Sequence, residues 1–478
     1  VTPLDRLAGK RILFVNWRDH THPQAGGAEV YCEELARSFA AAGAEVTLFT
    51  SRHLDAPVVE LHRGVRYIRS GRTFDVYVRA AAFMRERRRH FDAVVDFQNG
   101  IPFFAPLFTG HDMATVCVIH HVHQKQFALH FPAPLAAVGR MLEGPVARLV
   151  YGMRPVVAVS PSTRDAVRRA LRLRGPIHVV PNGLVPRGGG DRDPAAEPRI
   201  ALVTRLVPQK RIDLLVRAAA TLRDRFPSLQ VDIAGTGPAE ADLAALVTEL
   251  SLEQTVRLHG RVSDERRDEI WRRAWLTVVP SVQEGWGLTV LEANQWGVPC
   301  VAFDVPGLRD AVIDGTTGWL VGADGTLEET VGHALGILSD RSAADSMGER
   351  CRAWSARFSW QDSARRLAAV VDAEIARVDS GRGSRRTPGD QATVARFTVT
   401  DDTSADEAES WLRSRLRRTD DVSRQSRSFT VLLKGSDELE AAAALADLVE
   451  RAELVAPPRL DVALQTDLLS LSAEELAG

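Results

Sequence analysis

At 478 residues the chain is longer than one ordinary core, so two domains with an appendage are expected. Its 45% hydrophobic and 26% charged residues are those of a globular protein, and no apolar run reaches spanning length, which speaks against an integral membrane protein. The net charge of -2 hides an asymmetry: residues 1–180 hold 24 Lys and Arg against 15 Asp and Glu, residues 391–478 only 10 against 17. A basic front suits phosphates or an anionic membrane surface, and the acidic tail is a candidate for a protein partner; nothing points to nucleic acid. Val1 to Lys10 is polar and the apolar run after it is short, so no signal peptide is expected. Cys32, Cys117, Cys300 and Cys351 are scattered without C-x-x-C spacing and read as buried thiols of a reducing, cytoplasmic compartment.

In the first half short apolar runs alternate with helical patterns. Arg11–Asn16, Glu45–Ser51, Ala93–Phe97, Val116–His120, Val156–Ser160 and His178–Pro181 read as strands, and Ala28–Ala42 and Ser162–Leu173 as helices. That alternation predicts a parallel sheet with crossover helices. The loop after the first strand ends Gln24-Ala25-Gly26-Gly27-Ala28-Glu29, a glycine pair at a helix start; it suits a phosphate, and a tight strand-to-helix turn explains it equally well. Val76–Phe91 reads as a basic amphipathic helix carrying Arg79, Arg85, Arg87, Arg88 and Arg89 beside Phe83 and Met84, which fits an anionic lipid surface or plain solvation. Asp96, Gln98 and Asn99 follow a strand and are candidates to line an acceptor cleft. His120, His121 and His123 cluster at the next strand end. With no carboxylate or Cys nearby in sequence no metal is expected, and a strand-end His suits a sugar hydroxyl or a transferring group. Gly188-Gly189-Gly190 then breaks the pattern.

The alternation restarts at Arg199. Strand Ile200–Arg205 precedes helix Ile212–Phe226, strand Gln230–Ala234 runs into Gly235-Thr236-Gly237, helix Ala239–Leu250 follows, and strand Val256–Gly260 leads to helix Asp264–Ala274. Arg205 and Lys210, at a strand end, suit a diphosphate, since Arg forks across oxygens and Lys adds a point charge, and a pair of solvated surface charges explains them equally well. Leu276–Pro280 then runs into Glu284-Gly285-Trp286-Gly287-Leu288, with a helix from near Gly287 carrying Glu292, before strand Cys300–Phe303. Amides at a helix start favour an anion, while carboxylates beside them favour hydroxyls, a combination that suits a nucleotide sugar. Ligands of doubly wound sheets bind at the carboxyl ends of strands, so two such halves would place the site in a cleft between them. Ser359-Trp360-Gln361-Asp362 is a capping-box start for a helix to about Val378; 379–391 reads as a linker, and Arg396–Thr400, Ala405–Arg418, Ser428–Lys434, Glu438–Glu453 and Arg459–Leu464 as a β-α-β-α-β appendage without a catalytic constellation.

Over residues 10–378 these motifs, in their order, resemble a retaining glycosyltransferase of the GT-B fold, family 4, with Glu284 and Glu292 as its E-x7-E signature. The resemblance implies an α/β fold of two facing Rossmann-like domains plus a small C-terminal α+β appendage: an acceptor domain over 1–183, a nucleotide-sugar donor domain over 184–358, a helix over 359–378 crossing back to the first domain, a linker over 379–391 and an accessory domain over 392–478. It implies that Gly26 and Gly27 approach the donor diphosphate, that Arg205 and Lys210 neutralise it as it leaves, and that Gly235 and Gly237 border it. Glu284 would grip the transferred sugar, with the backbone of Gly285, Trp286, Gly287 and Leu288 touching sugar or phosphate. Glu292 would hold the ribose, and Arg261 and Val262 would border the base. His120 would sit at the reacting carbon, with His121 in its place if the register differs by one; His121 and His123 fall on the acceptor side. The implied reaction is front-face transfer without metal or cofactor, from a GDP- or UDP-sugar to a glycan, lipid-linked or small-molecule acceptor in envelope or glycoconjugate synthesis, in the cytoplasm or at the inner face of the membrane.

Two departures stand out. Leu184-Val185-Pro186 follows the Pro181-Asn182-Gly183 turn where the family often has an acidic residue, so the turn reads as a hinge; the tail beyond Asp379 lies outside the family pattern. Competing readings are a nucleotide-sugar epimerase of the same fold and a non-catalytic nucleotide-sugar-binding subunit. A dinucleotide oxidoreductase would need G-x-G-x-x-G after the first strand, which Gly26-Gly27 does not supply.

Overall fold

The computed structural model describes residues 2–23, 25–110, 112–187, 192–381, 391–399, 405–416, 420–437, 441, 444–445 and 460–470. Gln24, the Gly188–Gly190 run, most of the linker and most of the helix expected over Glu438–Glu453 lie outside them. The chain divides into two compact units, one of residues 1–158, 164–180 and 364–478, the other of 159–163 and 181–363.

The first unit is built on an eight-stranded sheet: β1 (Arg11–Val15), β2 (Glu45–Thr50), β3 (Val59–His62), β4 (Val65–Arg69), β5 (Ala93–Gln98), β6 (Ala114–Ile119), β7 (Val156–Ala158) and β8 (Ile177–Val179), in the order β3-β4-β2-β1-β5-β6-β7-β8. Every pairing is parallel except β3 with β4. Buried strands covered on both faces read as unbroken apolar runs, which is why β1, β2, β5 and β6 are visible in the sequence. The β3–β4 hairpin escapes it: β3 is a half-exposed edge strand, and its turn is Arg63-Gly64, both at positive φ (49° and 80°). The basic helix is shorter than expected, Asp75–Glu86. One apolar core packs Leu13, Val15, Phe49 and Val94 against Val76 and Met84 of that helix; another packs Cys117 and Ile119 against Tyr151, Val167 and Leu171. All four cysteines are buried and free.

The second unit carries six parallel strands, β9 (Arg199–Val203), β10 (Gln230–Ala234), β11 (Val256–Leu258), β12 (Leu276–Val279), β13 (Cys300–Phe303) and β14 (Gly318–Val321), ordered β11-β10-β9-β12-β13-β14. The winding reverses between β9 and β12, so their carboxyl ends flank the topological switch point. In the first unit the reversal falls between β1 and β5. The helix Trp360–Asp379 begins as its capping box requires: Ser359 Oγ accepts the Asp362 N–H at 3.1 Å and donates to the Asp362 carboxylate at 2.9 Å. Its later turns belong to the first unit, where Asp372 pairs with Arg6 at 3.1 Å.

The tail forms a four-stranded antiparallel sheet of β15 (Gln391–Val399), β16 (Asp421–Gln425), β17 (Ser428–Lys434) and β18 (Leu460–Ser470), with the helix Ala405–Arg415. The order β16-β17-β15-β18 is the split βαβ arrangement. This corrects the expected strand pattern: β15 starts inside the stretch read as linker, and β16, whose buried side chain is Val422 alone, is too polar to announce itself.

Candidate active site

At the switch point of the second unit, β9 delivers Thr204 to Lys210 and β12 delivers Ser281 to Gly287. Lys210 ends a 3-10 turn (Pro208–Lys210), fixed because Val282 donates its N–H to the Gln209 carbonyl at 3.2 Å. The two half-buried side chains meet: Lys210 Nζ is ion-paired with the Glu284 carboxylate. Behind Glu284, its N–H reaches the Pro306 carbonyl at 3.2 Å, and Gly307 (φ 82°) lies so close that a Cβ there would stand 2.2 Å from the Glu284 carbonyl oxygen. Trp286 is buried edge-on against Phe358, ring centroids 5.1 Å apart. Gly287 precedes the helix Leu288–Gln295 with no room for a side chain, since a Cβ would sit 2.7 Å from that of Ala311. The Leu288 N–H is already turned to the Trp286 carbonyl at 2.9 Å, and the Gly285 carbonyl accepts the Thr163 hydroxyl at 3.4 Å.

Gly235 and Gly237 lie against the exit of β9. A Cβ on Gly235 (φ 138°) would fall 1.8 Å from the Thr204 carbonyl, and one on Gly237 2.2 Å from that of Leu206. Arg205 stands between those carbonyls, exposed; its carbonyl accepts the Val207 N–H at 3.0 Å, and its side chain engages no partner among the described residues. Arg261 is exposed, whereas Val262 packs on the apolar cluster around Trp271. Glu292 sits in a second charged group, which the sequence reading missed. Burial raises its carboxyl, and the Arg267 and Arg187 charges oppose that shift. Arg187 in turn pairs with Asp264 at 2.7 Å and Asp268 at 3.4 Å. The sequence signal was the Asp264/Arg267/Asp268 spacing on one helix, with Arg187 soon after the Pro-Asn-Gly turn.

In the first unit, Asn99 after β5 donates to the Asn16 side chain after β1 at 2.8 Å, so both mark the switch point there. Two acceptor-side candidates turn the other way. Asp96 is wholly buried, accepts the Phe103 and Ala105 N–H groups at 3.1 and 3.2 Å, and takes the Tyr151 hydroxyl. Burial pushes its carboxyl up to about 6, against those three donors. Gln98, also buried, donates to the Gly100 carbonyl at 3.0 Å. Both are internal braces of the β5 exit rather than cleft lining.

One amide of the glycine pair is engaged locally. Gly26 donates its N–H to the Glu29 carboxylate at 2.7 Å, and Glu29 is held by Arg18 at 2.7 Å, so that amide serves the helix start itself. Ahead of it, Asp19 pairs with wholly buried Arg69 at 2.5 Å.

His120 is buried edge-on against Tyr31 (5.0 Å), and burial, then the His121 and His123 charges, lower it to about 3, so it is a neutral imidazole at physiological pH. The His121 and His123 rings lie 3.8 Å apart, tilted 31° to each other. A carboxylate does lie near them, contrary to the sequence argument. Glu143 accepts the His123 N–H at 2.6 Å and the Gln124 amide at 2.7 Å, and stands 3.4 Å from His123 Nδ1. Burial raises Glu143 to about 7. Among the described residues no three His, Cys, Asp or Glu side chains gather to hold a metal ion.

Two Rossmann-like sheets, with a cation and a carboxylate paired at the switch point of the second, are the architecture of a GT-B glycosyltransferase. Residues 25–187 match the model of "Glycosyltransferase Family 4" and residues 192–354 that of "Glycosyl transferases group 1". The D-inositol 3-phosphate glycosyltransferase of Nocardia farcinica is 32% identical over 430 residues, covering 77% of this chain and 92% of its own. The chain belongs to glycosyltransferase family 4. Among solved structures, sucrose-phosphate synthase from Thermosynechococcus elongatus superposes with a TM-score of 0.62 at 22% identity, covering 75% of this chain and 97% of that one. Anabaena HepE in complex with UDP-glucose gives 0.56 at 18%, covering 78% and 100%.

Proposed function

We propose that the chain transfers a sugar from a nucleoside diphosphate donor to an acceptor hydroxyl with retention of configuration. The observation that carries this reading is the Lys210–Glu284 pair at the carboxyl ends of β9 and β12. Without a ligand each side chain neutralises the other. A donor separates their tasks: Lys210 and exposed Arg205 take the diphosphate, and Glu284 accepts hydrogen bonds from the sugar hydroxyls. UDP-glucose on the HepE fold and the glycosyltransferase relatives support a nucleotide-sugar donor.

In front-face transfer the acceptor oxygen attacks the anomeric carbon from the side on which the diphosphate leaves. The bond to the phosphate oxygen breaks with its electron pair going to the diphosphate, and the acceptor proton passes to that oxygen. Fixed cations stabilise the departing charge without reorganising. A double displacement would need a carboxylate beneath the anomeric carbon, whereas this reading gives Glu284 to the sugar hydroxyls. Neutral His120 suits a hydrogen bond to a sugar hydroxyl rather than a fixed charge. Glu292, between Arg187 and Arg267, suits the ribose hydroxyls. The relatives' name makes an inositol phosphate the first acceptor to try.

The test screens UDP- and GDP-sugars by thermal shift, then follows nucleotide release with inositol phosphate, glycan and lipid-linked acceptors. Glu284→Ala and Lys210→Ala are expected to lose about 100-fold or more in transfer while staying folded. Near-parental turnover in both, or an inverted anomeric centre in the product by NMR, overturns the mechanism. Sugar interconversion without acceptor would establish the epimerase instead.

A further inference from the structure

The helix Ala133–Met141 continues through a π-helical turn, Leu142–Val146, into the helix Ala147–Tyr151. The wide turn accommodates Pro145, which has no N–H to give. At 1.5 Å per residue the run is about 28 Å long. Its polarity is inverted. The inner side buries Ala136, Gly139, Glu143, Ala147 and Tyr151, while the outer side exposes Leu135, Val138, Met141 and Leu149, with Phe131 just ahead. Leu149 is 83% and Leu135 59% exposed. No charged side chain interrupts that stripe; Arg140 and Arg148 flank it, half-exposed.

The surroundings share this character. The helix Ala147–Tyr151 packs on the short helix Pro106–Thr109, whose Leu107 is exposed, and that helix packs on Asp75–Glu86. There Phe74 and Val78 are 74% and 71% exposed, followed by exposed Arg85, Arg87, Arg88 and Arg89. No described residue covers these apolar side chains, and exposed apolar surface gathered on neighbouring helices marks an interaction site.

We propose that this face docks on an anionic lipid bilayer, with Leu135, Val138, Met141 and Leu149 inserted among the headgroups and the flanking arginines against lipid phosphates. An apolar stripe bordered by cations is the pattern of a helix lying in the membrane interface. No helix among the described residues is long and apolar enough to cross a membrane, so the contact is peripheral. The proposal does not depend on the donor chemistry above. It adds a route by which a membrane-borne acceptor would arrive, because Glu143, on the inner side of the same helical run, holds the His123 and Gln124 loop.

The test is co-sedimentation of the full chain with phosphatidylcholine vesicles, with and without phosphatidylglycerol. Binding to the phosphatidylglycerol vesicles, weakened by salt, is expected. Leu135→Ser/Val138→Ser/Leu149→Ser should reduce it by about tenfold or more, with the melting temperature unchanged. Arg85→Glu/Arg88→Glu should remove the preference for anionic lipid. Leu149→Trp, which leaves the stripe apolar, should blue-shift its emission on adding vesicles. No vesicle binding, parental binding by the triple serine variant, or a solution dimer that this variant abolishes would each overturn the proposal, the last by assigning the face to a second copy of the chain.

Discussion

Glu143 has its carboxyl inside the protein, where ionisation is costly, and two donors from the His123–Gln124 segment offset only part of that cost. Its folded pKa, about 7, lies above its ordinary 4.5. The folded state therefore holds this proton more tightly than the unfolded state. The associated stability is complete below about pH 4.5 and is lost as pH rises through 7, up to about 3 kcal/mol. Glu143→Gln keeps an acceptor for the His123 N–H and cannot ionise. Urea unfolding at pH 5 and pH 8 should show the variant gaining on the parent across that interval; an unchanged difference would mean the carboxylate is stabilised in place. Neither Glu143 nor the inward turn of Asp96 was legible in the sequence. Every residue of β5 is buried, so no alternation of polar and apolar positions distinguishes a brace from a ligand contact. Glu143 lies twenty residues beyond the histidines it supports, on a helix whose partner is set by the fold.

The elements around the Lys210–Glu284 pair were read correctly because their signals are local. A strand, a glycine turn and a helix start lie within a dozen residues, at Thr277–Leu288 as at Val231–Glu240. What escaped were elements whose signal is a cap or an edge. The helices Leu327–Leu338 and Arg341–Ser355 begin at Thr326 and Asp340, whose side chains accept the Glu329 and Ala343 N–H groups at 3.3 and 3.1 Å. Thr326 three residues before Glu329 was a readable capping signature. Gly307 escaped too, because its task is set by Glu284 from another strand end. Gly307→Ala would force an alanine to φ 82° with its Cβ on the Glu284 carbonyl. A loss of roughly 2–4 kcal/mol is expected, with weaker donor binding because the backbone behind Glu284 must move. Gly322→Ala, where a Cβ meets nothing within 4 Å, is the control and should be near neutral. Melting curves and donor titration of the two variants separate a local clash from general intolerance.

Over the whole molecule, the family match ends at residue 354, so the tail must be understood from its own physics. It has a core of its own, in which Ala395, Leu412, Phe429, Val431 and Leu433 pack with no residue of either Rossmann-like sheet. It meets the rest of the first unit where β18 lies against β8 and where Asp437 faces Arg168 at 3.7 Å. Arg168 does not depend on that partner, since it also donates to the Leu173 and Gly175 carbonyls at 2.5 and 3.0 Å. A chain ending at Gly381 should therefore fold and keep its transfer activity within about threefold, with a melting temperature lower by only a few degrees. Its membrane behaviour should change in the opposite sense. Residues 382–478 hold 13 Lys and Arg against 18 Asp and Glu, so removing them moves the net charge from -2 to +3. The apolar stripe and its arginines lie within 74–149 and remain. The shortened chain should then bind phosphatidylglycerol vesicles more tightly than the full chain at low salt, and equally at high salt where the charge is screened. Co-sedimentation of the two chains over a salt series measures this. Tighter binding by the full chain would make the tail itself the lipid contact, and a loss of transfer beyond tenfold would place the tail in the catalytic unit.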